Sequence, residues 1–191
     1  MVVGIAVALI AVGIGLILGL VAGYVRVLDA VIMRTMDGLM SIPAILLAIA
    51  LISLSGATLG TVILAIVIPE VPRVVRLVRA VVLTVREEPY VEAAIAAGTR
   101  LPLILKRHIL PNTIAPLIVQ ATYVCASAML TESILGFLGA GIPPEIPSWG
   151  NIMSEGRTYF QISPWIIFFP GIGLALTVLA VNIVGDGLRD T

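Results

Sequence analysis

Residue types that support much of protein chemistry are scarce in this chain of 191 residues. The one cysteine, Cys125, excludes an internal disulfide and a thiolate cluster, and the one histidine, His108, excludes a paired-histidine metal site. The only lysine, Lys106, lies in a segment that is nothing like the Gly-rich loop that binds ATP phosphates. We therefore predict that the chain is not an enzyme and has no catalytic residue, metal site or cofactor of its own.

Charge is scarce as well, at 12% of residues, and the formal net charge is +0. A nucleic-acid partner would call for a basic excess, so this class is excluded. Hydrophobic residues make up 60% of the chain and the mean hydropathy is +1.16, whereas a soluble domain is about 45–50% apolar and about 25% charged. A globule of this length could not hide so much apolar surface, and the sequence therefore predicts a protein of the lipid bilayer.

Apolar runs long enough for membrane helices recur along the chain, since a helix needs about 20 mostly apolar residues to span the hydrocarbon core. Gly and Pro inside these runs, as at Pro43, Pro116 and Pro170, fit either ordinary packing and kinking or hinges used during transport. The Gly-rich string from Gly13 to Gly23 is too apolar for a phosphate site and predicts close helix packing. The five predicted spans are Val2 to Val25, Leu39 to Leu54, Leu59 to Ile68 with an extension toward Leu77, Ile114 to Leu138, and Trp165 to Val184.

The positive charges predict an orientation. With five alternating spans, ten of the eleven Lys and Arg residues lie on one side and only Arg157 lies on the other. The positive-inside rule makes the first side the cytoplasm, so we expect the chain to start outside and to end inside. Met1 would then stand almost at the membrane edge, which is what we expect if an N-terminal segment is missing.

The most informative segment is the predicted cytoplasmic loop REEPYVEAAIAAGTRLPLILKRHILP, from Arg86 to Pro111. Pro89 suits the first position of a short helix, and Gly98 suits the position just past its end. Pro102 is expected to open a second short helix, and Pro111 is expected to stop it. The loop is therefore predicted to be a helix–turn–helix outside the membrane, with an alanine-rich first helix that another surface can approach closely.

This loop resembles the EAA loop of bacterial binding-protein-dependent permeases, whose pattern is E-A-A-x3-G-x9-I-x-L-P. Glu92-Ala93-Ala94, Gly98 and Leu110-Pro111 keep that spacing, and His108 stands where the pattern has Ile. Further segments are similar to the dipeptide, oligopeptide and nickel branch of the family. They are Arg76 to Ala80, Tyr90 to Glu92, Arg107 to Asn112, Ser133 to Gly139, Pro143 to Asn151 and Gly185 to Asp190.

The resemblance implies an all-α polytopic helical bundle over residues 1–191, with a six-helix family core that lacks its first helix. It implies a coupling helix that docks on a separate ATPase subunit, and that ATP binds to this partner and not to the chain. The expected partners are a paired permease subunit, two ATP-binding subunits and an extracytoplasmic substrate-binding protein, in a bacterial or archaeal cell (inner) membrane. The coupling residues it implies are Tyr90, Glu92, Ala93, Ala94, Gly98, Leu110 and Pro111.

Three further features allow two interpretations each. Arg73, Arg76 and Arg79 share one helical face and would either reach lipid headgroups or contact a partner subunit. Glu132 would either line the translocation path or lie near the outer end of the fourth span. The segment from Trp149 to Phe160, with Ser148 as its cap, suits an interfacial aromatic belt. By resemblance, Trp149, Gly150 and Asn151 would instead face the substrate-binding protein.

The sequence therefore predicts the permease subunit of an ATP-driven importer, which forms half of the pathway for peptides or for nickel and related small solutes. The alternative is an ion-gradient-driven secondary transporter or channel subunit. That alternative predicts more buried acids or a broken polar helix near the membrane midplane, and Glu132 is the one serious candidate.

Overall fold

A computed structural model describes residues 1–189, with the backbone alone at residue 189, and this range is helical without any strand. A short π-helical segment, Leu105–Ile109, precedes α7, and a 3-10 turn, Arg157–Tyr159, follows α8. The helices are α1 (Val2–Tyr24), α2 (Arg26–Met40), α3 (Ala44–Ser55), α4 (Leu59–Val85), α5 (Pro89–Ala96), α6 (Leu101–Ile104), α7 (Leu110–Phe137), α8 (Trp149–Gly156) and α9 (Trp165–Arg189).

The centre of the bundle is the contact between α1 and α4, which run in the same direction. Three glycines of α1 face three valines of α4, and both sets recur every four residues, which places each set on one helical face. A Cβ added at Gly19 would lie 2.6 Å from Val78 Cβ, so the two backbones touch through the missing side chain. This confirms the close packing predicted for the Gly-rich string. The pairs are Gly15 with Val74, Gly19 with Val78, and Gly23 with Val82.

Helix α7 runs in the opposite direction along α1 and α4, and α9 packs on α7, where Gly185 lies against Thr122. The bundle thus has two ends. The α5 end carries α5 and the C-termini of α1 and α4, which are joined where Arg86 Nη1 donates to the Gly23 carbonyl at 3.2 Å. The α8 end carries α8, the N-termini of α1 and α4, and the C-terminus of α7.

Three helices are long and apolar enough to cross a membrane within residues 1–189: Val2–Tyr24, the continuous Leu101–Phe137, and Trp165–Leu188. The pair α2 and α3, bent by 86°, could supply a fourth crossing. Helix α4 is the third predicted span, and it continues through Pro69 and Pro72. It is not among the three helices apolar enough to cross a membrane by composition, because its charges begin at Glu70 and Arg73.

The second predicted span has the wrong bounds. The sequence predicts a helix that continues without a break from Leu39 to Leu54, but α2 ends at Met40 and α3 begins at Ala44. Pro43 stands at the break with a ψ of 126°, because proline cannot continue the hydrogen bonding of α2 and fixes its own φ.

The predicted stop at Pro111 is also wrong. The helix that starts at Leu101 continues into α7, and Pro111 lies in the first turn of α7. The π segment explains this, because the Leu110 N–H donates to the Leu105 carbonyl, five residues back. The wider turn gives room to the ring of Pro111, which would clash with a carbonyl in a regular α-helix.

Candidate functional site: the α5 loop, the arginine face and the α8 end

Helix α5 has the boundaries that the sequence predicts. Pro89 occupies its first turn, and the chain leaves the helix at Gly98 with a φ of 75°. The Gly98 N–H donates to the Ile95 carbonyl at 2.9 Å, and the Thr99 N–H donates to the Ala94 carbonyl at 3.1 Å. These two bonds form a Schellman motif, in which glycine adopts the left-handed conformation without a steric penalty.

Helix α5 has one fully buried side chain and is tied to the beginning of α7 by a small polar cluster. Val91 is fully buried. The Tyr90 and His108 rings lie 5.9 Å apart, and Asn112 Nδ2 lies 3.3 Å from Tyr90 Oη and 2.6 Å from the His108 carbonyl oxygen. These contacts place Tyr90 beside His108 and Asn112, on either side of Leu110–Pro111 in the chain.

The remaining surface of α5 is open. Glu92 and Ala93 are exposed and Ala94 is half-buried. Ile95, one residue further along, is an exposed large apolar side chain, and so is Leu103 of α6. Leu110 is half-buried and Pro111 is exposed at the start of α7. The α5 end of the bundle therefore presents a small, partly apolar surface beside exposed carboxylates, Glu92 among them.

The arginine face of α4 is paired within the chain, which neither sequence interpretation included. Arg79 Nη2 donates to Asp29 Oδ2 at 2.6 Å, and Arg79 Nε donates to the other oxygen of the same carboxylate. Arg76 Nη2 donates to Asp37 Oδ1 at 2.6 Å. Both aspartates belong to α2, so these ion pairs attach α2 to α4. The signal in the sequence is the presence of two acids in α2, Asp29 and Asp37.

Glu132 lies near the α8 end of α7 and is 6% exposed. It borders a cavity of about 420 Å³, and Ser133, Ser148 and Trp149 also line that cavity. Its Oε1 and the Ser133 Oγ have no hydrogen-bond partner among residues 1–189. The position agrees with the second interpretation of Glu132, near the end of the span, and its participation in a translocation path stays a prediction.

The cap predicted for α8 is confirmed, because Ser148 Oγ accepts a hydrogen bond from the Asn151 N–H at 3.1 Å. Trp149 is partly exposed and packs on Gly173 of α9. Gly150 is buried, and a Cβ there would lie 2.6 Å from the Ser133 carbonyl oxygen. Asn151 Nδ2 donates to the Ile142 and Ile146 carbonyls at 3.2 Å each. Gly150 and Asn151 thus hold the loop in shape, and Trp149 is the most accessible of the three.

One buried acid was missed by the sequence analysis. Glu70 of α4 is 5% exposed and accepts a hydrogen bond from Ser127 Oγ of α7 at 2.9 Å. It also pairs with Arg73 at 3.3 Å. Glu70 stands between Pro69 and Pro72 in the extension of the third predicted span, and an acid four residues after Ile66 in an apolar run was the available signal.

Comparison with known proteins decides the family. Residues 11–191 match the model of a family described as the inner membrane component of binding-protein-dependent transport systems. The chain belongs to this family. It is a multi-pass membrane protein, as the composition and the helices also require.

Relatives of this family member include proteins named for peptide transport. A protein of Sinorhizobium fredii named as a probable peptide ABC transporter permease is 59% identical over 169 residues, which is 88% of this chain and 58% of the relative. The dipeptide transport system permease protein of Alkalihalophilus pseudofirmus is 44% identical over 177 residues, or 92% and 58% of the two chains. The chain thus spans less than two thirds of the length of these relatives.

A solved structure has the same fold. The methionine ABC transporter MetNI in inward-facing conformations contains a chain that aligns with a TM-score of 0.73 and 19% identity. The alignment covers 98% of this family member and 92% of that chain. At this identity the likeness confirms the all-α bundle of the family and carries no information on the transported solute.

Proposed function

We propose that this chain is a permease subunit of an ATP-driven importer and forms half of a translocation pathway for peptides. The observation that carries the proposal is the open, partly apolar surface of α5 within a chain of the importer family. The names of the relatives support peptides as the transported class. The ion-gradient-driven alternative loses support for the same reason.

In this proposal the α5 end faces the cytoplasm and the α8 end faces outward, as the positive charges indicate. An ATPase subunit docks on α5, where Glu92, Ala93 and Ala94 contact it and Gly98 shapes the end of the helix. The ATPase subunits bind the nucleotide. Since α5 is fixed to the start of α7 through Tyr90 and Asn112, motion of the ATPase pair is transmitted to α7 as a contiguous element.

Two further partners belong to the proposal. A paired permease subunit would cover part of the apolar surface of α1 and α9, where Leu9, Ile17, Phe169 and Leu176 are exposed. A substrate-binding protein would dock at the α8 end near Trp149. Lipid covers the rest of the outer surface.

The experiment is co-purification in detergent of the full-length protein with its ATPase subunit. Ala93→Arg places a long cation on the proposed contact, and Ala57→Arg makes the same change at an exposed position at the other end of the bundle. We expect the complex to survive Ala57→Arg and to be lost with Ala93→Arg. Equal retention of the ATPase by both variants would contradict docking on α5, and no complex with the folded unmodified protein would contradict the importer assignment.

A further inference from the structure

A polar cluster of three residues lies inside the bundle, where α4 meets α7. Glu70 is almost completely buried and accepts a hydrogen bond from Ser127 Oγ at 2.9 Å. Arg73, one turn further along α4, holds Nη1 at 3.3 Å and 3.4 Å from the two oxygens of Glu70. The carboxylate is thus bonded from two helices, while the Arg73 side chain remains 41% exposed.

The depth of this cluster follows from the rise of an α-helix. Glu70 lies about 16 Å along α4 from Leu59, and Ser127 lies about 15 Å along α7 from Phe137, at about 1.5 Å per residue. Both distances are measured from the α8 end of the bundle. Because a hydrocarbon core is about 30 Å thick, a bundle that enters the core at Leu59 and Phe137 would hold the cluster near the middle of the membrane.

A charged side chain at this depth cannot remain half-exposed to hydrocarbon, because the cost of such an arrangement is several kcal/mol. Charged groups within spans instead face water-filled cavities or other protein. The outer side of Arg73 therefore faces an aqueous path or a neighbouring subunit.

The hydrogen bonding of Arg73 differs from that of Arg79 on the same helix. Arg79 binds the Asp29 carboxylate through Nε and Nη2, the side-on fork of the guanidinium. Arg73 uses only Nη1, and within the described part of the chain its Nε and Nη2 form no hydrogen bond. The Nε and Nη2 donors of Arg73 are thus available, and together they have the geometry that matches the two oxygens of a carboxylate.

We propose that Arg73, positioned by Glu70 and Ser127, lines the translocation path and binds a carboxylate of the transported peptide near the middle of the membrane. Glu70 fixes one edge of the guanidinium, and the Nε–Nη2 edge receives the carboxylate of the solute. This inference rests on the importer function proposed above and adds to it a point of substrate contact in the permease.

The first test is transport by the complete importer in proteoliposomes. The substrates are a dipeptide and its C-terminal amide, chosen so that the substrate-binding protein binds both. Since that protein is the same in every sample, a change in the ratio of the two rates arises in the permease. We expect Arg73→Gln to lower the acid-to-amide ratio about tenfold, the effect of one charge-assisted hydrogen bond.

Three further variants control this result. The double variant Glu70→Gln with Arg73→Gln removes both charges, so it keeps the site neutral and avoids an unpaired buried carboxylate, and it should show the same loss. Arg73→Lys should restore part of the ratio, and Arg76→Gln, on the same face of α4, should leave it unchanged. An unaltered ratio in a transport-active double variant would overturn the inference.

The second test measures whether position 73 is accessible to water. Arg73→Cys in a Cys125→Ala background should react with a charged thiol reagent, while Leu64→Cys, an exposed apolar position on the same helix, should not. An unreactive Cys at position 73 would overturn the inference even if transport were normal. Failure of the unmodified importer to move any peptide would instead contradict the proposed function.

Discussion

The glycines of α1 allow close helix packing because they have no side chain, but they differ in how closely α4 approaches them. A Cβ on Gly19 would overlap Val78, whereas nothing lies within 4 Å of a Cβ on Gly13. We expect Gly19→Ala to lower the free energy of unfolding by about 1–3 kcal/mol, the usual cost of overpacking. Gly13→Ala should raise it by about 0.5–1 kcal/mol, since alanine is the better helix former. Thermal unfolding in detergent measures both changes, and equal effects would contradict the glycine–valine contact.

The two buried glutamates also differ in what surrounds them. Glu70 accepts from Ser127 and Arg73, whereas Glu132 Oε1 has no donor among residues 1–189. Glu132→Gln replaces a buried acid, one oxygen of which lacks a donor, by a neutral amide, so we expect the free energy of unfolding to stay the same or to rise. Glu70→Gln leaves Arg73 without its partner and should lower it by about 1–3 kcal/mol. Unfolding of the two variants is measured under the same conditions. A larger loss of stability in Glu132→Gln than in Glu70→Gln would contradict the difference in hydrogen bonding.

At the scale of elements, two ion pairs of unequal burial attach α2 to α4, beside the apolar contacts that Met36 and its neighbours make with the core. The Asp29–Arg79 pair is bidentate and more than two thirds buried, while Asp37 and Arg76 are both largely exposed. Exposed pairs contribute about 0–1 kcal/mol. We expect a double-mutant cycle on Asp29 and Arg79 to give a coupling free energy of about 1–3 kcal/mol. The same cycle on Asp37 and Arg76 should give less than half of it, and the reverse order would contradict the geometry.

Some helix boundaries could be predicted from the sequence and others could not. Helix α5 was predictable because Pro89 and Gly98 are local signals, and each acts through the backbone of its own residue. The cap of α8 at Ser148 was predictable for the same reason. The break at Pro43 and the continuation through Pro111 were not, because proline permits a kink, a stop or a first turn, and the surrounding packing selects among them. Ser127, the partner of Glu70 on α7, lies 57 residues away in the chain, beyond any local pattern.

At the scale of the whole molecule, the two ends of the bundle differ in charge, and this difference carries the proposed orientation. Arg157 lies at the α8 end, while Arg86, Arg100 and Arg107 lie at the α5 end with the open surface of α5. Lys and Arg near the ends of spans are retained on the cytoplasmic side. The α5 end should therefore be accessible only from the cytoplasm.

Single cysteines in the Cys125→Ala background test this orientation in intact cells. Ala97→Cys, exposed next to α5, and Ala57→Cys, exposed in the turn before α4, stand at opposite ends of the bundle. We expect a membrane-impermeant thiol reagent to label position 57 in intact cells and position 97 only after the membrane is opened. Only α4 separates the two positions, so labelling of both from outside would contradict the spanning role of α4. Labelling of position 97 in intact cells, with position 57 protected, would place the α5 surface on the wrong side for an ATPase.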